Sequence, residues 1–148
     1  WVMAFYLSLG YQNNLAEQSS SIPDIKSFRL TGSDTVRGFE FSEINRLKNG
    51  SPLAETEFND QAYLINMKFE PRYYINDTMI IGMFYDAGRI FLTKPDPTDL
   101  RSSIGITFKY LTPVGSLDFD YGFKTLRKKN PDGILESPGR LHVSIGFF

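Results

Sequence analysis

The chain has no cysteine, so disulfide frameworks and thiolate metal sites are excluded. A single histidine, His142, makes a histidine-based metal centre a remote reading, and no cofactor motif is present. The formal net charge is -1 over 148 residues, and no basic stripe runs along any segment, which argues against a nucleic-acid footprint. No run comes near the roughly 18 consecutive apolar residues that a transmembrane helix needs. Mean hydropathy is slightly negative, at -0.25. What the chain has in excess is aromatic and glycine content: 13 Phe, 8 Tyr and 12 Gly. Aromatic, glycine-rich and not overtly hydrophobic is the composition of a membrane β-barrel, where only alternate residues face lipid.

The dominant period is two. Six segments carry it: Val2–Gln12, Ala62–Tyr74, Thr78–Phe91, Ser102–Leu111, Ser116–Lys124 and Arg140–Phe148. Each is near the roughly 9–11 residues that a tilted strand needs to cross a bilayer. In the fourth, Ile104, Ile106, Phe108 and Tyr110 alternate with Ser103, Gly105, Thr107 and Lys109. The third is apolar on both faces except at Asp86, and Leu64 breaks the polar face of the second. The connections alternate as well. Tyr74–Asp77 and Thr112–Gly115 are tight turns, whereas Asn13–Gln61, Leu92–Arg101 and Thr125–Gly139 are long. Short turns at one rim and long loops at the other is the outer-membrane layout, and it predicts an all-β, up-and-down antiparallel meander. A soluble ligand-binding β-barrel is the alternative from another class. Membrane barrels begin at about eight strands, and an open sheet edge in lipid leaves backbone groups unsatisfied, so six strands read as a C-terminal piece of a larger barrel or as another part of one chain taken alone.

Within the longest connection lies Val36-Arg37-Gly38-Phe39, a permanent charge set between apolar neighbours. A buried guanidinium requires carboxylate partners. Glu70 and Asp86 are placed by alternation on the non-lipid faces of neighbouring strands, and they are the candidates. Asp118 and Asp120 read as solvated interior charges, and His142 as lining the lumen or rim. No acid–base pair suggests catalysis, and no enzyme activity is expected.

These residues resemble a known family. The run Phe28-Arg-Leu-Thr-Gly-Ser-Asp-Thr-Val-Arg-Gly-Phe39 looks like the signature of the outer-membrane assembly-factor superfamily, the BamA, TamA and Sam-type barrels of the bacterial surface antigen group. Phe84-Tyr-Asp-Ala-Gly-Arg-Ile-Phe91 is similar to its Asp-x-Gly strand, Ser103 to Tyr121 to its penultimate hairpin, and Leu141-His-Val-Ser-Ile-Gly-Phe-Phe148 to its closing strand. The resemblance implies a barrel of about 16 strands, of which these are the last six, with the POTRA domains and earlier strands outside this stretch. It implies that Val36, Arg37, Gly38 and Phe39 belong to a loop folded into the lumen and anchored at Glu70 and Asp86. It also implies that Arg140, Leu141, His142, Val143, Ser144, Ile145, Gly146, Phe147 and Phe148 form one side of a lateral seam. The implied function is assembly and insertion of β-barrel clients by strand-edge templating in the bacterial outer membrane. The implied partners are membrane lipid, the remaining strands, client proteins and accessory lipoproteins. A secretion pore, or the barrel of a fused lipase-type protein of the same superfamily, is the alternative. No cofactor and no metal are implied.

Overall fold

The computed structural model describes residues 1–15, 28–45, 61–92, 94–130 and 132–146. One sheet of six strands runs in sequence order: β1 (Val2–Asn13), β2 (Gln61–Tyr74), β3 (Met79–Phe91), β4 (Arg101–Thr112), β5 (Gly115–Lys124) and β6 (Gly139–Gly146). Every neighbouring pair is antiparallel. The all-β meander expected from the period of two is the fold observed. The closing strand ends at Gly146; Phe147 and Phe148, expected to extend it, lie outside the described residues.

The two tight connections are built by side chains that stand in for backbone partners. The Asn76 side-chain oxygen accepts from the Thr78 and Met79 amides at 2.9 and 2.8 Å. The Thr112 hydroxyl donates to the Gly115 carbonyl at 2.6 Å, and Gly115 takes φ 144°. Two short helical turns were not anticipated. One is α1 (Phe41–Ile44), where the Glu43 side chain accepts from the Glu40 amide at 2.8 Å in a capping box. The other is a 3-10 turn at Pro97–Asp99, capped by Asp96.

The sheet is patterned opposite to a soluble one. Along β4, Ile104 and Ile106 are 54% and 60% exposed, while Ser103 and Thr107 on either side of them are buried. The outward faces of β1 (Met3, Phe5, Leu7, Leu9) and β6 (Leu141, Val143, Ile145) are likewise exposed. A soluble barrel hides its apolar face; this sheet presents it. So large an apolar belt is stable only against hydrocarbon or another apolar surface. β1 spans 12 residues, about 40 Å of strand and about 30 Å of depth at a barrel tilt of roughly 40°. The protein is therefore expected to remain dispersed only in detergent or lipid. A monodisperse, cooperatively melting species in plain buffer, read by light scattering and circular dichroism, would contradict the lipid-facing assignment.

The apolar core lies on the opposite, inner side, and it comes from the loop. Leu30, Val36, Phe39 and Ile44 pack with Ala62 of β2 and Ile90 of β3. This explains the two breaks in alternation. Leu64 packs against that core from the inner face of β2, and inward-facing Phe84 lies beneath the Arg37 guanidinium, 3.6 Å from its central carbon.

Candidate functional site: an in-folded loop anchored on the inner wall

Residues 28–45 form a closed loop against the inner face. Its neck is tied by Asn45, whose side-chain amide donates to the Leu30 carbonyl at 2.8 Å and the Phe41 carbonyl at 3.0 Å. Its tip is tightened at Thr31, whose carbonyl accepts from the Thr35 amide and the Thr35 hydroxyl. The tip then drops onto Gly122 of β5. Gly105 and Gly122 are cross-strand partners on β4 and β5. A Cβ placed on Gly122 would stand 2.7 Å from the Gly38 nitrogen and 2.9 Å from the Arg37 carbonyl carbon. Gly38 itself takes φ +90°, a conformation open to glycine and strained for other residues. Backbone thus lies directly on backbone. This close approach carries Arg37 to the wall.

There Arg37 is fully engaged. Its backbone amide donates to Asp86 Oδ2 at 3.1 Å, Nε to the same oxygen at 2.7 Å, and Nη2 to Asp86 Oδ1 at 2.9 Å. Nη1 donates to Glu70 Oε2 at 2.6 Å. Asp120 Oδ1 lies 3.4 Å from Nη1. All four residues are buried. Burial by itself would lower the guanidinium pKa, but the hydrogen bond and charge of Asp86, with Glu70 and Asp120 behind it, outweigh burial and hold it above the ordinary arginine value. The acids have further partners. Arg72 Nε donates to Glu70 at 2.7 Å, Lys109 Nζ stands 3.7 Å from Glu70, and Lys109 pairs with Asp118 at 2.6 Å. Bidentate, charge-assisted contacts of this kind are the strong members of their class.

A second set of contacts holds the outer end of the loop. The Phe39 ring is fully buried between Arg101 and Lys124, whose charged groups lie 4.8 and 5.3 Å from its centroid. Lys124 pairs with Glu43 at 2.6 Å and donates to Ser137 at 2.9 Å. Arg101 pairs with Glu136, and Glu136 also accepts from the Lys128 amide at 3.0 Å. Lys128 in turn reaches Asp99, which pairs with Arg89 at 3.1 Å. The loop also reaches β6: the Gly38 amide donates to His142 Nε2 at 3.0 Å, and Arg140 pairs with Glu40 at 3.0 Å.

The structure therefore brings Val36, Arg37, Gly38, Phe39, Glu70 and Asp86 into one cluster. It places Arg140, His142 and Ser144 on the inner parity of β6, and Leu141, Val143 and Ile145 on the outer. The reading of Asp120 as a solvated charge needs correction: it is buried beside Arg37, because the loop covers the inner face of β5 at that level. Phe84, Arg101, Lys124 and the contact made by His142 were not foreseen. Gly122, a glycine inside a strand, was the signal that a backbone would approach there. Among the described residues no cluster of His, Cys, Asp or Glu has the arrangement of a metal site.

An outward apolar belt, a charged inner wall and a loop fixed inside it define a segment of transmembrane β-barrel wall. The family model of the Omp85 superfamily domain matches residues 1–148, and the chain belongs to that superfamily, whose bacterial members are outer-membrane proteins. A curated relative is the outer membrane protein assembly factor BamA of Nitratidesulfovibrio vulgaris, 23% identical over 137 residues. The match covers 90% of this chain and 17% of that protein, so the chain spans about a sixth of the relative's length.

Proposed function

We propose that this chain supplies the last six strands of an outer-membrane barrel of about 16 strands, and that the barrel inserts client β-barrel proteins by strand-edge templating. Superfamily membership and the likeness to an assembly factor support the general role. The observation that carries the specific reading is the sheet's pair of open edges. Among the described residues, β1 and β6 each have one strand neighbour. Unpaired backbone at a lipid-exposed edge costs several kcal/mol per group, so both edges require partners. β1 would be continued by a preceding strand of the same barrel. β6 would face the barrel's first strand across a seam, and when that seam parts its edge would accept a client strand by β-augmentation. Lipid, the remaining strands, client proteins and accessory lipoproteins are the partners in this reading. In it the Arg37 cluster is not catalytic; it fixes the loop so that the inner wall stays rigid while the seam opens.

The test is a cysteine at Ser144, whose partner on β5 is Asp118. In the full-length barrel it is expected to crosslink to cysteines on the first strand and, during client insertion, to the client's terminal strand. Crosslinks confined to residues 118–124 would indicate a static barrel and overturn the proposal.

A further inference from the structure

The in-folded loop is joined to the closing strand by one half-buried contact of unusual chemistry. The Gly38 amide lies in the buried turn of the loop and donates to His142 Nε2 at 3.0 Å. An accepting Nε2 carries no proton, so the ring that makes this bond is neutral, with its hydrogen on Nδ1. The ring is also packed closely by the loop: a Cβ on Gly32 would stand 3.3 Å from His142 Cε1. A second link between loop and β6 is the Glu40–Arg140 pair, whose side chains are 52% and 45% exposed. An exposed pair of that kind adds little. Of these two links, the His142 contact is therefore the stronger fastening of β6 to the loop.

We propose that His142 is a proton-sensitive clasp: its neutral ring holds the closing strand to the in-folded loop, and protonation of the ring lets the strand go. An imidazolium has no acceptor, so the Gly38 N–H would face a second N–H across 3.0 Å and lose its partner while still buried. Charged groups surround the ring from each element packed on it. Asp120 is its cross-strand partner on β5, Arg140 shares β6, and Arg37 and Asp34 come from the loop. Asp120 and Arg37 are themselves 3.4 Å apart. Protonation thus adds a charge beside the Arg37 cluster as well as removing an acceptor. The clasp rests on the reading of β6 as a seam strand for its purpose, though not for its geometry.

The experiment is hydrogen exchange on the full-length barrel in lipid, from about pH 8 to about pH 5 and corrected for intrinsic exchange. It follows peptides covering residues 36–40 and 139–146. Loss of this bond should cost about tenfold in protection across a single histidine titration. His142→Gln, whose amide oxygen accepts at any pH, should keep the protection and abolish the pH step. His142→Phe should show the lowered, about tenfold weaker protection at every pH. A wild-type profile flat in pH overturns the clasp without requiring any variant to fold, and so does His142→Phe exchanging as slowly as wild type. A photo-crosslinker at Ser144 is read in parallel against the barrel's first strand. If exchange follows the titration while crosslink yield does not, the clasp stands and the strand-edge reading of β6 fails.

Discussion

Replacing Arg37 with alanine is expected to release the in-folded loop and to give the largest loss of stability of any single substitution on the inner wall. Three buried carboxylates converge on its guanidinium. Removing one partner of a buried pair typically costs about 3–5 kcal/mol, because the charge left behind is stranded. Arg72 and Lys109 remain beside Glu70 and soften the loss at that acid, whereas Asp86 is fully buried and accepts three of the four hydrogen bonds Arg37 makes to the two acids. This fixes an order: Asp86→Asn should be more damaging than Glu70→Gln. Arg37→Lys should rescue poorly, since an ammonium cannot span both Asp86 oxygens and reach Glu70 together. Arg37→Ala combined with Asp86→Ala should cost less than the sum of the two, because the pair acts as a unit. Thermal unfolding in detergent, together with protease sensitivity of residues 28–45, reads all four. Full retention of thermal stability and protease resistance in Arg37→Ala would sink the anchor role.

The contrast between what the residues announce and what they conceal follows from the range of each signal. The strands are legible because alternation is local, and in a lipid-facing wall the outward positions must stay apolar along every strand. β4 shows this at Ile104, Gly105, Ile106 and Thr107 with no exception. The contact of Arg37 with Glu70 and Asp86 is legible for a different reason: a guanidinium between Val36 and Gly38 is an expensive group to bury, and few acids share the inner parity of β2 and β3. Asp118 and Asp120 show the limit. They share a strand and a parity, yet Asp118 pairs with Lys109 while Asp120 lies beside Arg37. Which of them the loop reaches depends on how deeply its tip sinks, and that is set by Gly38 meeting Gly122 across 84 residues of chain. The pairing of Phe39 with Arg101 and Lys124 is hidden in the same way. So is His142: nothing in the alternation of β6 says that its ring nitrogen meets a backbone amide more than 100 residues earlier.

Alanine at Gly38 is expected to lift the loop tip off the wall and disorganise the Arg37 cluster without touching any charged residue. Two independent costs combine there. The φ of +90° is strained for a residue with a Cβ, on the order of 1–3 kcal/mol. The added Cβ would also stand 2.8 Å from the Gly122 carbonyl oxygen and 2.9 Å from its carbon, both backbone atoms that no rotamer change can move. Gly122→Ala meets the same contact from the other side, against the Gly38 nitrogen and Cα at 2.7 and 2.8 Å, with the steric cost alone. Gly133→Ala separates the two effects. Its φ is +78°, but nothing lies within 4 Å of the added carbon, so it should lose only the conformational part, roughly 1 kcal/mol. The expected order of destabilisation is Gly38→Ala, then Gly122→Ala, then Gly133→Ala. Once either member of the close contact has been pushed away, the second substitution meets less resistance, so the Gly38→Ala/Gly122→Ala double variant should fall well short of additivity. Additive losses, measured by unfolding in detergent, would mean that the loop tip does not rest on β5, and that Arg37 reaches its carboxylates by some route other than the Gly38–Gly122 contact.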